Sequence, residues 1–149
     1  MIAIGCDHGG FKLKEEIKKY LEEIGLEYKD FGTYNEERTD YPIYAKEVAK
    51  SVSDGECEKG ILICRSGHGM SVVANKFKGV RAASITNEDD AINVITLPGD
   101  YISLNEAIVI VRTWIAAEFK GGRYQDRLDM IDEIEKKVIL WYHINIIYR

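Results

Sequence analysis

GILICRSGHGMSVV, Gly60–Val73, changes character at a single residue. Gly60 to Cys64 is an apolar run without polar alternation, the pattern of a strand buried on both faces. Directly after Cys64 come Arg65, Ser66 and a histidine between two glycines, and then "GMSVVANKF", which reads as a helix. A buried strand that ends on a thiol and passes through a glycine-rich turn into a helix is the repeating unit of a parallel α/β sheet.

The flanking sequence repeats that unit. Ile2–Cys6 is a short apolar strand stopped by Asp7. From about Gly10, Phe11 is followed by Leu13, Ile17, Leu21 and Ile24, the last four at spacings of three and four, which predicts a helix that Gly25 ends. "LEYKDFG" reads as a second strand and "TYNEERTDYP" as an irregular loop. Pro42 opens a helix whose apolar face carries Tyr44, Val48 and Val52. "GVRAAS" and "INVITL" read as strands four and five. Ser103 with Glu106 forms a capping-box start for a helix to about Glu118; "KGGR" breaks it, and a last amphipathic helix runs to about Lys137. The expected fold is an α/β, Rossmann-like three-layer αβα sandwich with a five-stranded parallel sheet in the order 2-1-3-4-5.

The 149 residues suit one domain, and 46% hydrophobic residues can build an ordinary core. A net charge of -5 without a basic stripe argues against a nucleic-acid partner. No apolar run approaches the ~20 residues of a membrane span, and "MIAIGCDHGG" lacks the form of a signal peptide. Cys6, Cys57 and Cys64 are odd in number and lack zinc-like spacing, so reduced thiols in a cytoplasmic protein are expected, with no membrane partner and no metal.

In an open parallel sheet, ligands bind beyond the carboxyl ends of the strands where the strand order reverses. In the expected order that point lies between strands one and three, whose ends bring Asp7, His8, Cys64, Ser66 and His68 together. Each has a plain structural reading as well. Cys64 can be a small buried hydrophobe, Asp7 or Ser66 a cap, His8 a structural hydrogen-bonder, and Gly67 and Gly69 turn residues. The position of Cys64 before a helix start, which favours a thiolate, supports the chemical reading. The loop is neither a Walker phosphate loop nor a GxGxxG dinucleotide turn, and a Cys-x5-Arg phosphatase loop needs arginine where Met70 stands. Near the end, Arg123 and Arg127 are four apart, so a helix places both on one face, suited to a phosphate monoester. The alternative is a solvated face paired with Asp126 and Glu133.

"GCDHGGFKLKEEI" (Gly5–Ile17), "RTDYP" (Arg38–Pro42), "GILICRSGHGMSVVANKFKGVRAA" (Gly60–Ala83) and "EFKGGRYQDR" (Glu118–Arg127) together resemble the type B ribose-5-phosphate isomerases, a family that includes galactose-6-phosphate and allose-6-phosphate isomerases. The resemblance covers residues 1–137. It implies a homodimer or dimer of dimers with active sites at the subunit interface, and no metal or organic cofactor. It places the base on Cys64 and the anion-stabilising loop on Arg65, Ser66, Gly67, His68, Gly69, Met70 and Ser71. The ring-opening hydroxyl falls on Ser66, the Asp-His pair on Asp7 and His8, the sugar-contacting tyrosine on Tyr41, and the phosphate arginines on Arg123 and Arg127.

The implied reaction interconverts ribose 5-phosphate and ribulose 5-phosphate through a cis-enediolate. Alternatives are another sugar phosphate, or a sugar-phosphate-binding protein without turnover. Three departures stand out. "SITNEDDAINVI" is several residues shorter than the family's segment, with Asp89 and Asp90 where a ring-opening His-Asn pair aligns. "RSGHG" replaces the common Gly-Thr-Gly-x-Gly, and Tyr124 replaces the usual histidine after Gly-Gly-Arg. Finally, residues 138–149, "VILWYHINIIYR", form an apolar extension that either docks on a subunit or is an artefact without fixed structure. His68 is a candidate to open the sugar ring, with His8 and the Asp89–Asp90 pair as competitors.

Overall fold

β3, Lys59–Cys64, occupies the middle of the sheet, as its unbroken apolar run requires: Ile61, Leu62 and Ile63 are fully buried. It pairs in parallel with β1, Ile2–Cys6, on one side and with β5, Val94–Pro98, on the other. β2, Tyr28–Asp30, extends the β1 edge, and β4, Ala82–Ala83, extends the β5 edge. The computed structural model describes residues 1–84 and 90–147. All pairings are parallel, in the order β2-β1-β3-β5-β4. The reversal between β1 and β3 stands as expected, but β5 rather than β4 lies beside β3. Val94 to Leu97 are buried and suit an inner strand, whereas the two-residue β4 can only serve an edge.

The period of two along β3 divides the core. Ile61 and Ile63 face α1 (Phe11–Glu23) and α4 (Leu104–Ala116), where Ile17, Leu21, Val111 and Trp114 complete one layer. Leu62 and Cys64 face α2 (Tyr41–Ser53) and α3 (His68–Ala74), packing with Val48, Ala49, Met70 and Ala74. The expected helix ends are present. Gly25 adopts φ +71 after α1, and its N–H reaches the Glu22 carbonyl at 3.0 Å. The Ser103–Glu106 capping box closes in both directions.

Two helices differ from the sequence expectation. α3 stops at Ala74, because Asn75 turns its carboxamide to the edge strand and both accepts from and donates to the Ala82 backbone at 2.8 Å. α5, Arg123–Ile147, does not stop near Lys137 but continues for 25 residues in all. It meets the body through Leu128, which is buried, and through Glu135, which accepts from the Gly79 N–H at 3.0 Å.

A buried ion pair fixes the loop after β2. Lys14 is fully buried, and its ammonium donates to both Asp30 carboxylate oxygens at 2.6 and 2.7 Å and to the Thr33 carbonyl at 2.8 Å. Lys18 adds a contact to Asp30 at 2.8 Å. Burial by itself raises the Asp30 carboxyl, but the two ammonium groups and the Gly32 N–H hold it below its ordinary value. A depressed carboxyl contributes stability above its unfolded pKa, near ~3.9, which is lost as pH falls through the folded value. Asp30→Asn removes the nearest carboxylate from the buried Lys14 ammonium and leaves it Glu15 at 3.5 Å, so urea denaturation at pH 7 should show a loss of up to about 3–5 kcal/mol. The same variant should lose less stability than the parent between neutral pH and pH 3. A parental midpoint at pH 7 counts against the pair as the anchor of this loop.

Candidate active site

β1, β3 and β5 end side by side, and their loops bond to one another. The Asp7 N–H donates to the Ile63 carbonyl at 3.2 Å, the Gly99 N–H to the Cys64 carbonyl at 2.8 Å and the Asp100 N–H to the Arg65 carbonyl at 3.0 Å. Gly10 lies against β3 so tightly that a Cβ there would stand 2.6 Å from the Ile63 oxygen, which excludes any side chain. Asp7 is buried and accepts from the Gly9 and Gly10 N–H groups at 2.9 and 3.2 Å, capping the 3-10 turn His8–Gly10. The cap and the crevice position therefore coincide in one carboxylate.

At the end of β3, Gly67 adopts φ +77, and its N–H returns to Cys64 Sγ at 3.2 Å. A Cβ at Gly67 would sit in ordinary contact with the β5 backbone at Leu97 and Pro98, 3.4 Å away, so it is the left-handed turn that calls for glycine. Cys64 thus lies beside a backbone donor at the crevice. Cys6, one strand over, is buried against the other layer, and burial pushes its thiol up to about 12 although Lys14 opposes this. The Ser71 N–H bonds the Gly67 carbonyl at 3.2 Å, while the N–H groups of His68, Gly69 and Met70 belong to the first turn of α3, which has no intrahelical acceptors.

The other expected site residues fall into three groups. Some join the cluster: Tyr41, at the start of α2, lays its ring on Gly69, where a Cβ would come within 2.6 Å of Tyr41 Cζ. The His8 Nδ1 lies 3.1 Å from the Thr39 carbonyl oxygen. The Thr39 N–H also faces Nδ1, at 3.3 Å, so both backbone groups of Thr39 hold that side of the ring and Nε2 is the nitrogen left for a ligand. Ser66 is half-buried and His68 exposed in the loop.

Others have committed side chains. Met70 is wholly buried in the core, so what it can offer a ligand is backbone, and the Ser71 hydroxyl donates to the Ala82 carbonyl at 3.1 Å. Arg123 and Arg127 form the third group. Both are exposed and flank Tyr124, their guanidinium carbons 5.0 and 5.3 Å from its ring centre. No hydrogen bond or ion pair among the described residues joins them to Cys64 or its loop. Glu133, expected as a partner, instead lies 3.9 Å from Lys137. Asp89 lies outside the described residues, and Asp90 is exposed.

Sequence reading missed Thr39, which holds His8, and Asp100, whose carboxylate lies 3.4 Å from Arg65 Nε. The signal for Asp100 was present: "PGD", Pro98–Asp100, is a turn directly after a buried strand, at the same edge of the sheet. Thr39 lies inside the "RTDYP" motif, but it acts through its backbone, which residue type does not record.

Known proteins share this arrangement. A family model described as Ribose/Galactose Isomerase matches residues 2–131. Ribose-5-phosphate isomerase B of Escherichia coli K12 is 44% identical over 91% of this chain and 97% of its own length. The structure of Clostridium thermocellum ribose-5-phosphate isomerase B superposes with a TM-score of 0.89 at 46% identity, covering 92% of this chain and 98% of that one. Ribose-5-phosphate isomerase B from Mycoplasma genitalium, solved with bound ribulose-5-phosphate, gives a TM-score of 0.83 at 37% identity over 91% of this chain and 95% of that one. With the fold, the strand-end crevice and these matches in agreement over nearly its whole length, the chain belongs to the ribose/galactose isomerase family.

Proposed function

We propose that the protein is an aldose–ketose isomerase that interconverts ribose 5-phosphate and ribulose 5-phosphate, with Cys64 as the base. The observation that carries this reading is the Gly67 N–H directed at Cys64 Sγ at the carboxyl edge of the sheet. That N–H can donate to the sulfur when it carries the charge that a base needs. The relatives' names, and the ribulose-5-phosphate bound to one of them, support the substrate.

The reaction moves one proton between carbons. In the open-chain aldose, the Cys64 thiolate takes the C2 proton, and the electron pair flows through C1 to leave negative charge on the carbonyl oxygen. Uncommitted N–H groups of the loop, from His68 to Met70, are placed to stabilise that enediolate. A proton passes from O2 to O1 with the help of the Ser66 hydroxyl, and Cys64 returns its proton to C1, giving the ketose. Tyr41 and His8 contact the sugar hydroxyls, and Asp7 keeps the turn that carries His8. Cys64→Ala should fold as the parent does and lose nearly all turnover in a coupled assay against a panel of pentose and hexose phosphates. Near-parental activity in this variant removes the base assignment, and turnover of hexose phosphates alone changes the substrate.

His68 is placed to open the sugar ring. It stands exposed at the start of α3, four residues beyond Cys64, and an imidazole can both accept and donate a proton. His68→Asn should sharply reduce turnover of the ring-closed substrate while an open-chain analogue still exchanges its C2 proton with solvent. Equal losses on both substrates, or none on either, leave the role to His8 or Asp90.

The working unit is a homodimer, or a pair of such dimers, in which Arg123 and Arg127 of one protomer serve the phosphate held at the other's crevice. The apolar row Ile131, Ile134, Val138 and Trp141, exposed along α5 at spacings of three and four, supports this. On this reading the extension beyond Lys137 docks on the partner. Truncation after Lys137 should lower the thermal midpoint or the mass in solution; unchanged values on both counts mark the extension as dispensable.

A further inference from the structure

Arg65 leaves β3 where three strand ends converge. Its aliphatic stem lies on Gly9, beyond the end of β1, so closely that a Cβ added to Gly9 would meet Arg65 Cγ at 2.5 Å. Its Nε lies 3.4 Å from Oδ2 of Asp100, beyond the end of β5, and the Asp100 backbone N–H is bonded to the Arg65 carbonyl at 3.0 Å. The guanidinium is therefore held across the mouth of the crevice by a stem contact on one side and a carboxylate on the other. The carboxylate contact is long and one-pronged, and the two side chains are 71% and 45% exposed. Such a pair is weak, and it engages one of the five N–H donors that a guanidinium carries. A phosphate monoester offers two charges and a geometry that accepts two of those donors at once, so it outcompetes a single exposed carboxylate.

We propose that Arg65 and Asp100 form an anion latch: Arg65 is a phosphate anchor supplied by the same protomer as Cys64, and Asp100 holds it ready and tunes its affinity by competing with the substrate's phosphate. The latch deepens the isomerase reading and rests on it for the identity of the substrate, but its ligand chemistry is testable with inorganic phosphate alone. Removing the anchor weakens binding, whereas removing the competitor strengthens it, and a merely structural ion pair does not give opposite signs.

Phosphate binding should be measured by titration calorimetry, and KM and kcat for ribose 5-phosphate by the coupled assay, in the parent, Arg65→Ala, Asp100→Asn, the double variant and Arg127→Ala. Arg65→Ala should weaken phosphate binding and raise KM by about tenfold, the scale of one charge-assisted hydrogen bond, with kcat changed less. Asp100→Asn should tighten phosphate and lower KM by about two- to threefold, as expected for release of an exposed pair. The double variant should match Arg65→Ala, and Arg65→Lys should recover part of the affinity. Equal phosphate affinity in parent, Arg65→Ala and Asp100→Asn overturns the latch, as does no measurable phosphate affinity in the parent, or a loss confined to Arg127→Ala. Opposite shifts in phosphate affinity in a protein that turns over no sugar phosphate uphold the latch and overturn the isomerase reading instead.

Discussion

The left-handed turn at Gly67 is the constraint on which the site rests. A strand buried on both faces cannot pass into a helix without an abrupt change of direction, and here the turning residue takes φ +77 in van der Waals contact with β5. Glycine adopts that φ without steric cost. The same φ that sends the chain into α3 brings the Gly67 N–H back onto Cys64 Sγ and leaves the first turn of α3 at the crevice. The thiol's environment and the path of the chain are thus one geometric fact.

The two cysteines at the strand ends show what the pleat contributes. Cys6 and Cys64 close neighbouring parallel strands, yet they face opposite layers, because Cys6 pairs in register with Ile63 and not with Cys64. Cys6 is thereby buried beside Lys14, where its thiol is held far above neutral pH. Cys64 meets the backbone donor of a turn. One residue of register decides which thiol is available for chemistry.

Lys14 and Asp30 do for the loop after β2 what Gly67 does for β3. A fully buried ammonium is costly unless it is matched, and here the carboxylate and the Thr33 carbonyl match it. The irregular segment that follows β2 is anchored at its start by this pair. Further along, Thr39 and Tyr44 bond to each other through their hydroxyls at 3.0 Å while the Thr39 backbone holds His8. At the far end of the chain, α5 meets the body through Leu128 and Glu135 and carries Arg123 and Arg127 on Tyr124.

The sequence alone was enough for the class of fold and most element boundaries. Those features follow from local periodicity: an unbroken apolar run at Gly60–Cys64, three- and four-residue spacing along α1, and the Ser103–Glu106 cap. It was also enough to single out the residues at the ends of strands one and three, because the carboxyl edge is common to all strands of a parallel sheet. Tertiary structure decided what depends on contacts between distant segments. The exchange of β4 and β5 in the strand order turns on which of two apolar stretches is long enough to bury on both faces. Asn75 ends α3 early because Ala82 offers a backbone to bond, and Arg65 finds Asp100 because the β5 turn folds onto it. The committed side chains of Met70 and Ser71 were likewise invisible in the loop motif, since a motif records residue type and not which way each side chain points. Local pattern specifies the elements and their ends, while direction, register and partnership come from packing, which no short window of sequence contains.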